Sequence, residues 1–180
     1  TNWRYEGVCC DDETTKGAYA PEIFRWNDAF YMVSSPGGRG HYVYRGASPV
    51  GPFERVTENF GLTIDGSAFI DSDGSAYFYS AADPAIRAYR MTAPNVVDPT
   101  PLKTAMNMRG WTEGPNVFCV DGVYYATYCG NHVFSRGYRI DAASGPSPLD
   151  LSPVPENPVL VSTEGAPVGI GHNSVVKGPN

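Results

Sequence analysis

Between Gly114 and Gly130 the chain alternates short apolar bursts with turn residues. Asn116-Val-Phe-Cys-Val120 is followed by Asp121-Gly122 and then by Val123-Tyr-Tyr-Ala-Thr-Tyr128. Runs of β-branched and aromatic residues on either side of Asp-Gly predict two antiparallel strands joined by a tight turn. The phrase recurs. Ala20 to Asp28 leads through Asn27-Asp28 into Ala29 to Ser35, and Asp65 to Asp73 leads through Asp73-Gly74 into Ser75 to Ser80. A fourth copy opens at His172 and reaches Asn180. Third strands are predicted at His41–Arg45, Ile86–Met91 and Gly137–Ile140, and fourth strands at Gly51–Val56, Leu102–Ala105 and Pro158–Ser162. Trp3 and Tyr5 suggest one further outer strand, and Asp11 to Lys16 a polar loop.

Aligned on their turns, the copies begin at positions 20, 65, 113 and 172, with spacings of 45, 48 and 59 residues. Four short strands per repeat of this length predict an all-β fold, a β-propeller. The repeats fall at about 20–60, 65–106 and 113–163, with 170–180 starting the next. In a propeller the first strand of each blade lines the central channel, so equivalent positions converge at one mouth. That register expects Ala20, Asp65, Glu113 and His172 at one spot.

Composition narrows the picture. Thirteen basic and 19 acidic residues give a net charge of −6, and no basic patch points to a nucleic-acid partner. No stretch approaches the roughly 20 apolar residues of a membrane span. The cysteines, Cys9, Cys10, Cys119 and Cys129, lack metal-ligand spacing and are expected to be buried free thiols. A two-residue turn at Asp121-Gly122 would set Cys119 opposite Tyr124 and Cys129 opposite Gly114. The chain has no initiator Met and stops where a turn should feed another strand, so a piece of a longer propeller is expected. Its open sheet edges predict instability or self-association in isolation, and the sequence leaves the oligomeric state undetermined.

Two carboxylates at the mouth of a polar channel suit glycosidic bond hydrolysis. One, protonated, donates to the leaving oxygen, while the other stays ionised as base, nucleophile or tuner of the first. Trp111, two residues before Glu113, offers a face for a sugar ring.

Several motifs resemble glycoside hydrolase family 43. They are Ala20-Pro-Glu22, Ile64-Asp65-Gly66 with Phe69 to Gly74, Thr112-Glu-Gly-Pro115 with Tyr124-Tyr125, and Gly169-Ile-Gly-His-Asn-Ser-Val175. Ser48-Pro49 with Gly51-Pro-Phe53, and Gly130-Asn-His132 with Ser135-Arg-Gly-Tyr138, fit as well. The resemblance implies a five-bladed propeller, here about three blades and the first strand of a fourth. It implies inverting action on arabinan, arabinoxylan or xylan side chains, of the α-L-arabinofuranosidase or β-xylosidase type. It makes Glu113 the general acid and Asp65 the group that tunes and orients it. His172 would line the channel floor, near or on a Ca²⁺ or Na⁺, with no cofactor otherwise required. The family's general base, an Asp of the first blade, has no counterpart here. Asp83 lies between an outer pair of strands and is rejected for that role, and Asp11 and Asp12, in a polar loop, are disfavoured for it.

Other residues stay open. Glu22 is either structural or substrate-binding, and Arg136, His132 and Arg87 could reach sugar hydroxyls from the rim. His41 is expected on an outer strand, and Asp71 to Gly74 is read as a hairpin turn rather than a Ca²⁺ loop. Beside the inverting glycosidase stand a retaining propeller glycosidase and a non-catalytic sugar-binding propeller.

Overall fold

A computed structural model describes residues 3–178. The described residues are all-β, with one short 3-10 turn, Glu13–Thr15. Among the described residues no helix is long and apolar enough to cross a membrane. Three antiparallel sheets follow one another. The first is β1 (Ala18–Trp26), β2 (Ala29–Pro36), β3 (Tyr42–Gly46) and β4 (Glu54–Arg55), paired in chain order. The second is β5 (Ile64–Ile70), β6 (Ala76–Ala82) and β7 (Ala85–Ala93), with β8 (Val96–Val97) and β9 (Leu102–Asn107) both on β7. The third is β10 (Thr112–Val120), β11 (Val123–Gly130) and β12 (Arg139–Gly145), with β13 (Ser152–Pro153) and β14 (Leu160–Val161) both on β12. In the last two sheets the fourth place is therefore shared between two short strands, and the sequence showed only one of each pair.

The sheets stack face to face, and β6 shows why. Its residues alternate between two cores, as the period of two along a strand requires. Tyr77, Tyr79 and Ala81 pack toward the third sheet with Val117, Ala126 and Tyr128. Ala76 and Phe78 pack toward the first sheet with Phe24 and Val33. A strand covered on both faces reads as a continuous apolar run, which Ala76-Tyr-Phe-Tyr79 is. Each large side chain so enclosed contributes about 2–3 kcal/mol. The outer face of the first sheet is covered by Cys9 and Cys10, which pack on Met32, Tyr44 and Phe53. Trp3 and Tyr5 form no strand and stand exposed, because no neighbouring edge receives them.

His41 is not an outer-strand residue. It is fully buried just ahead of β3, beside Phe60 and Phe78, with Nδ1 on the Gly61 carbonyl. The β5–β6 hairpin closes with Asp71 N–H on Ser75 O rather than through a two-residue Asp73-Gly74 turn.

The first strand of every sheet carries a bulge at its head. Two residues oppose one between Tyr19 and Glu22, between Ile64 and Ser67, and between Glu113 and Asn116. The first bulged residue has positive φ in each, Ala20 at 46°, Asp65 at 61° and Gly114 at 57°, and His172 matches them at 48°. The structural equivalents are thus 20, 65, 114 and 172, and the turn-based alignment was one residue out in the third copy. It had matched the second residue of one turn, Asp28, to the first of another, Asp121. The bulge also sets Cys129 opposite Glu113 rather than Gly114. The fourth copy forms no strand within residues 170–178. It is held along β10 and β11 by side chains: Val175 N–H donates to Asn116 Oδ1 (3.0 Å) and Asn173 Nδ2 to Thr127 Oγ1 (3.1 Å). No strand follows it in the described residues to complete a ladder.

Candidate active site

The bulges collect one end of the first strands around a pocket of about 520 Å³, lined among others by Ala20, Asp65, Glu113, Tyr138 and His172. Four of the expected residues therefore do meet, with Glu113 entering from the position before the bulge.

Glu113 is gripped on both oxygens. Tyr138 donates its hydroxyl to Oε1 (2.6 Å), and the Trp111 indole N–H donates to Oε2. Trp111 is itself steadied from below by Thr112. That fully buried hydroxyl donates to Gly110 O (3.0 Å) and accepts from Met108 N–H (3.0 Å). Tyr138 is buried, and its hydroxyl is pushed far above the usual tyrosine range by burial and by its hydrogen bonds to Cys129 and Glu113, so it stays a donor.

Asp65 is buried at the head of β5. Its Oδ2 accepts the Gly114 N–H at 3.0 Å and lies 3.7 Å from His172 Nδ1. Burial raises its pKa, and the charge of Glu113 adds to that; His172 and the Gly114 N–H act against it. The link to Gly114 couples the two carboxylates through the backbone next to Glu113. Gly114 is required there, for a Cβ would stand 2.7 Å from Cys129 Sγ and 3.2 Å from the His172 ring. Cys129 is buried, accepts the His172 N–H at 2.8 Å, and has its thiol raised by burial to about 11. The other three cysteines are free and less enclosed, and Cys119 is exposed, because it lies near the hairpin tip.

Glu22 faces a different cavity. Its Oε1 accepts the Ala68 N–H at 3.1 Å, beside a pocket of about 530 Å³ that His172, Asn116 and Asn173 also line. Burial pushes its carboxyl up to about 7, against the hydrogen bond from Ala68. Arg136 lines none of these pockets. Its Nε donates to Thr163 O (2.9 Å) across the loop that precedes the fourth copy. Trp111 borders a further pocket of about 450 Å³ on the far side of Glu113, where His132 also stands. The residue the sequence reading left without a role is Tyr138, although the Ser135-Arg-Gly-Tyr138 motif had singled it out.

As for a metal, among the described residues no group of three or more His, Cys, Asp or Glu side chains is arranged to hold an ion. His172 has a single carboxylate neighbour, Asp65, whose Oδ2 already accepts a backbone N–H.

The whole chain, residues 1–180, matches the model of glycosyl hydrolases family 43. The chain belongs to that family. A xylosidase/arabinosidase of Butyrivibrio fibrisolvens is 25% identical over 131 residues, 63% of this chain and 25% of that protein. A thermostable family-43 glycoside hydrolase of solved structure is 26% identical, with a TM-score of 0.80 over 96% of this chain and 67% of that one. An endo-1,4-beta-xylanase from Bacteroides thetaiotaomicron is 28% identical, with a TM-score of 0.74 over 94% of this chain and 65% of that one. The chain thus spans a quarter of the curated relative and about two thirds of these two structures. Its three sheets are those of a β-propeller of this family.

Proposed function

We propose that the protein containing this chain is an inverting glycosidase that acts on arabinose- or xylose-bearing plant polysaccharides or their oligosaccharides. The observation that carries the reading is the grip on Glu113. Tyr138 and Trp111 fix both carboxyl oxygens at the edge of a pocket that also holds a buried second carboxylate. A general acid must be held still at the bond it protonates, and the fixed carboxyl of Glu113 supports that reading. The relatives named for xylosidase, arabinosidase and xylanase activity support the substrate class.

Glu113, protonated, gives its proton to the leaving oxygen as the bond to the anomeric carbon breaks. Asp65 holds the Gly114 backbone and so orients Glu113. Water adds from the opposite face of the sugar and yields a proton to a base carboxylate, which inverts the configuration. With Asp65 given to orienting Glu113 through the Gly114 N–H, we assign that base to a carboxylate other than these two. We place the three sheets as consecutive blades of five, with residues 170–178 entering the next. His172 lines the channel beside Asp65.

The test compares the full-length protein with its Glu113→Gln variant on two substrates. One is an arabino- or xylo-oligosaccharide, with a poor leaving group; the other is the p-nitrophenyl glycoside, with a good one. A general acid matters most for the poor leaving group. The variant should lose at least ~10²-fold on the oligosaccharide and clearly less on the aryl glycoside. Equal losses would refute the acid role. Binding without hydrolysis by the unaltered protein would leave a sugar-binding propeller.

A further inference from the structure

Glu113 and Val133 form a wall shared by two pockets. On one side lie Asp65 and His172, and on the other a pocket of about 450 Å³ opens past Trp111. A general acid sits at the bond it protonates, so the ring attacked and the leaving group fall on opposite sides of its carboxyl. The side holding the second carboxylate receives the attacked ring, and the Trp111 side receives the leaving group.

That second pocket is electrostatically unlike the rest of the chain, whose net charge is −6. Arg109, Arg139 and His132 line it, and its one carboxylate is Glu113. Arg139 is partly neutralised by the largely buried Asp141, with Nε 3.2 Å from Oδ1. Arg109 makes no ion pair among the described residues. Its backbone is pinned at φ 61° with its N–H on Asn107 Oδ1 (2.6 Å), so the root of the side chain is fixed at the rim. Trp111 supplies an aromatic surface and Asn131 an amide beside the two arginines. A neutral sugar needs the aromatic and the amide but gains little from an unpaired guanidinium. A carboxylate matches the planar fork of the guanidinium in both shape and charge.

We propose that this pocket selects a uronic acid, a sugar bearing a carboxylate, on the leaving-group side, with Arg109 as the main determinant and Arg139 as its neighbour. The proposal rests on the glycosidase reading above, which assigns the two sides. It makes the enzyme one for acid-decorated polymers rather than for neutral chains.

The test uses the full-length protein and matched oligosaccharides that differ only in a glucuronate or neutral glucose on the leaving-group side. The readout is the ratio of kcat/KM for the acidic and the neutral substrate, not either rate alone. The ratio should be on the order of tenfold at low salt, since a charge-assisted pair of this kind is partly exposed. It should fall toward one in Arg109→Gln and in high salt, and Arg109→Lys should retain part of it. Arg109 is the better probe than Arg139, whose removal would strand Asp141. A ratio near or below one in the unaltered protein, or a ratio that Arg109→Gln does not change, overturns the proposal. If neither substrate is cleaved, the glycosidase reading fails by itself. Binding of the free glucuronate-bearing oligosaccharide against its neutral counterpart, by calorimetry, then decides the pocket's preference. Tighter binding that Arg109→Gln removes upholds it, and equal binding refutes it.

Discussion

Glu22 makes the stability of this fold depend on pH in a calculable way. A free glutamate titrates near 4.5, and in the folded chain burial raises Glu22 to about 7. Between those values the folded state keeps a proton that the unfolded chain has released. Stability therefore falls as pH rises from 4.5 to 7, and above 7 the folded state carries the full cost. A shift of that size corresponds to about 3 kcal/mol as an upper bound. The 530 Å³ pocket beside Glu22 admits water, which reduces the expected cost to ~1–2 kcal/mol. His41 acts in the opposite direction. Burial lowers it from 6.5 to about 4, so as pH falls through that range the unfolded chain takes up a proton that the folded one refuses. The two slopes offset each other between about 4.5 and 6.5, and the wild-type curve alone hides both. The Glu22→Gln variant separates them, because a glutamine oxygen still accepts the Ala68 N–H and carries no charge. Denaturant unfolding of the full-length protein and this variant from pH 4 to 8 should show the variant gaining on the wild type as pH rises. The gain should level off above pH 7 at ~1–2 kcal/mol. A difference that is flat with pH, or that favours the wild type at pH 8, would refute the placement of a neutral acid at Glu22.

Three further outcomes are expected. Gly114→Ala should lower the denaturant midpoint by the equivalent of roughly 2 kcal/mol and cut kcat/KM at least ~10-fold, since the new methyl meets Cys129 and His172; an unchanged midpoint would count against the bulge geometry. Tyr138→Phe keeps the buried ring and deletes one hydrogen bond to Glu113, so kcat on an oligosaccharide should drop ~10-fold or more with KM little changed. Alkylation at pH 8 followed by mass spectrometry should label Cys119 quickly, while Cys129, buried with a thiol near 11, stays unlabelled until the protein is unfolded.

Much of this architecture was legible because hairpins announce themselves. Asp121-Gly122 between β-rich runs set the register of Cys119 with Tyr124 correctly. Asp65, Glu113 and His172 were brought to one pocket by counting residues between repeats. The bulges were not legible, and the physical reason is plain. The positions with positive φ are an alanine, an aspartate, a glycine and a histidine, which share no local signature. The third copy slipped by one residue because Asp28 was matched to Asp121, and without the bulges Cys129 was set against Gly114 instead of Glu113. Split outer strands were missed because a two-residue strand such as Val96–Val97 has no period to detect. The position of Arg136 was not legible for a different reason: a long charged side chain near a site can turn to a backbone carbonyl, as this one does to Thr163. Tyr138 stands in the sequence within a motif, but its role appears only when the start of β12 brings it across from Glu113.

The repeated bulge has a consequence for redesign. Its positive-φ position is a mounting point that recurs four times, in the three bulges and again at His172, and three of these positions are already committed: Asp65 carries a carboxyl, Gly114 must stay bare, and His172 carries an imidazole. Ala20 occupies the remaining one, borders the same pocket and carries only a methyl group. Its φ of 46° lies in the region that aspartate and asparagine tolerate better than most residues. The scaffold therefore holds an unused socket, into which a new functional group could be introduced with a single codon change and without altering the backbone that presents it.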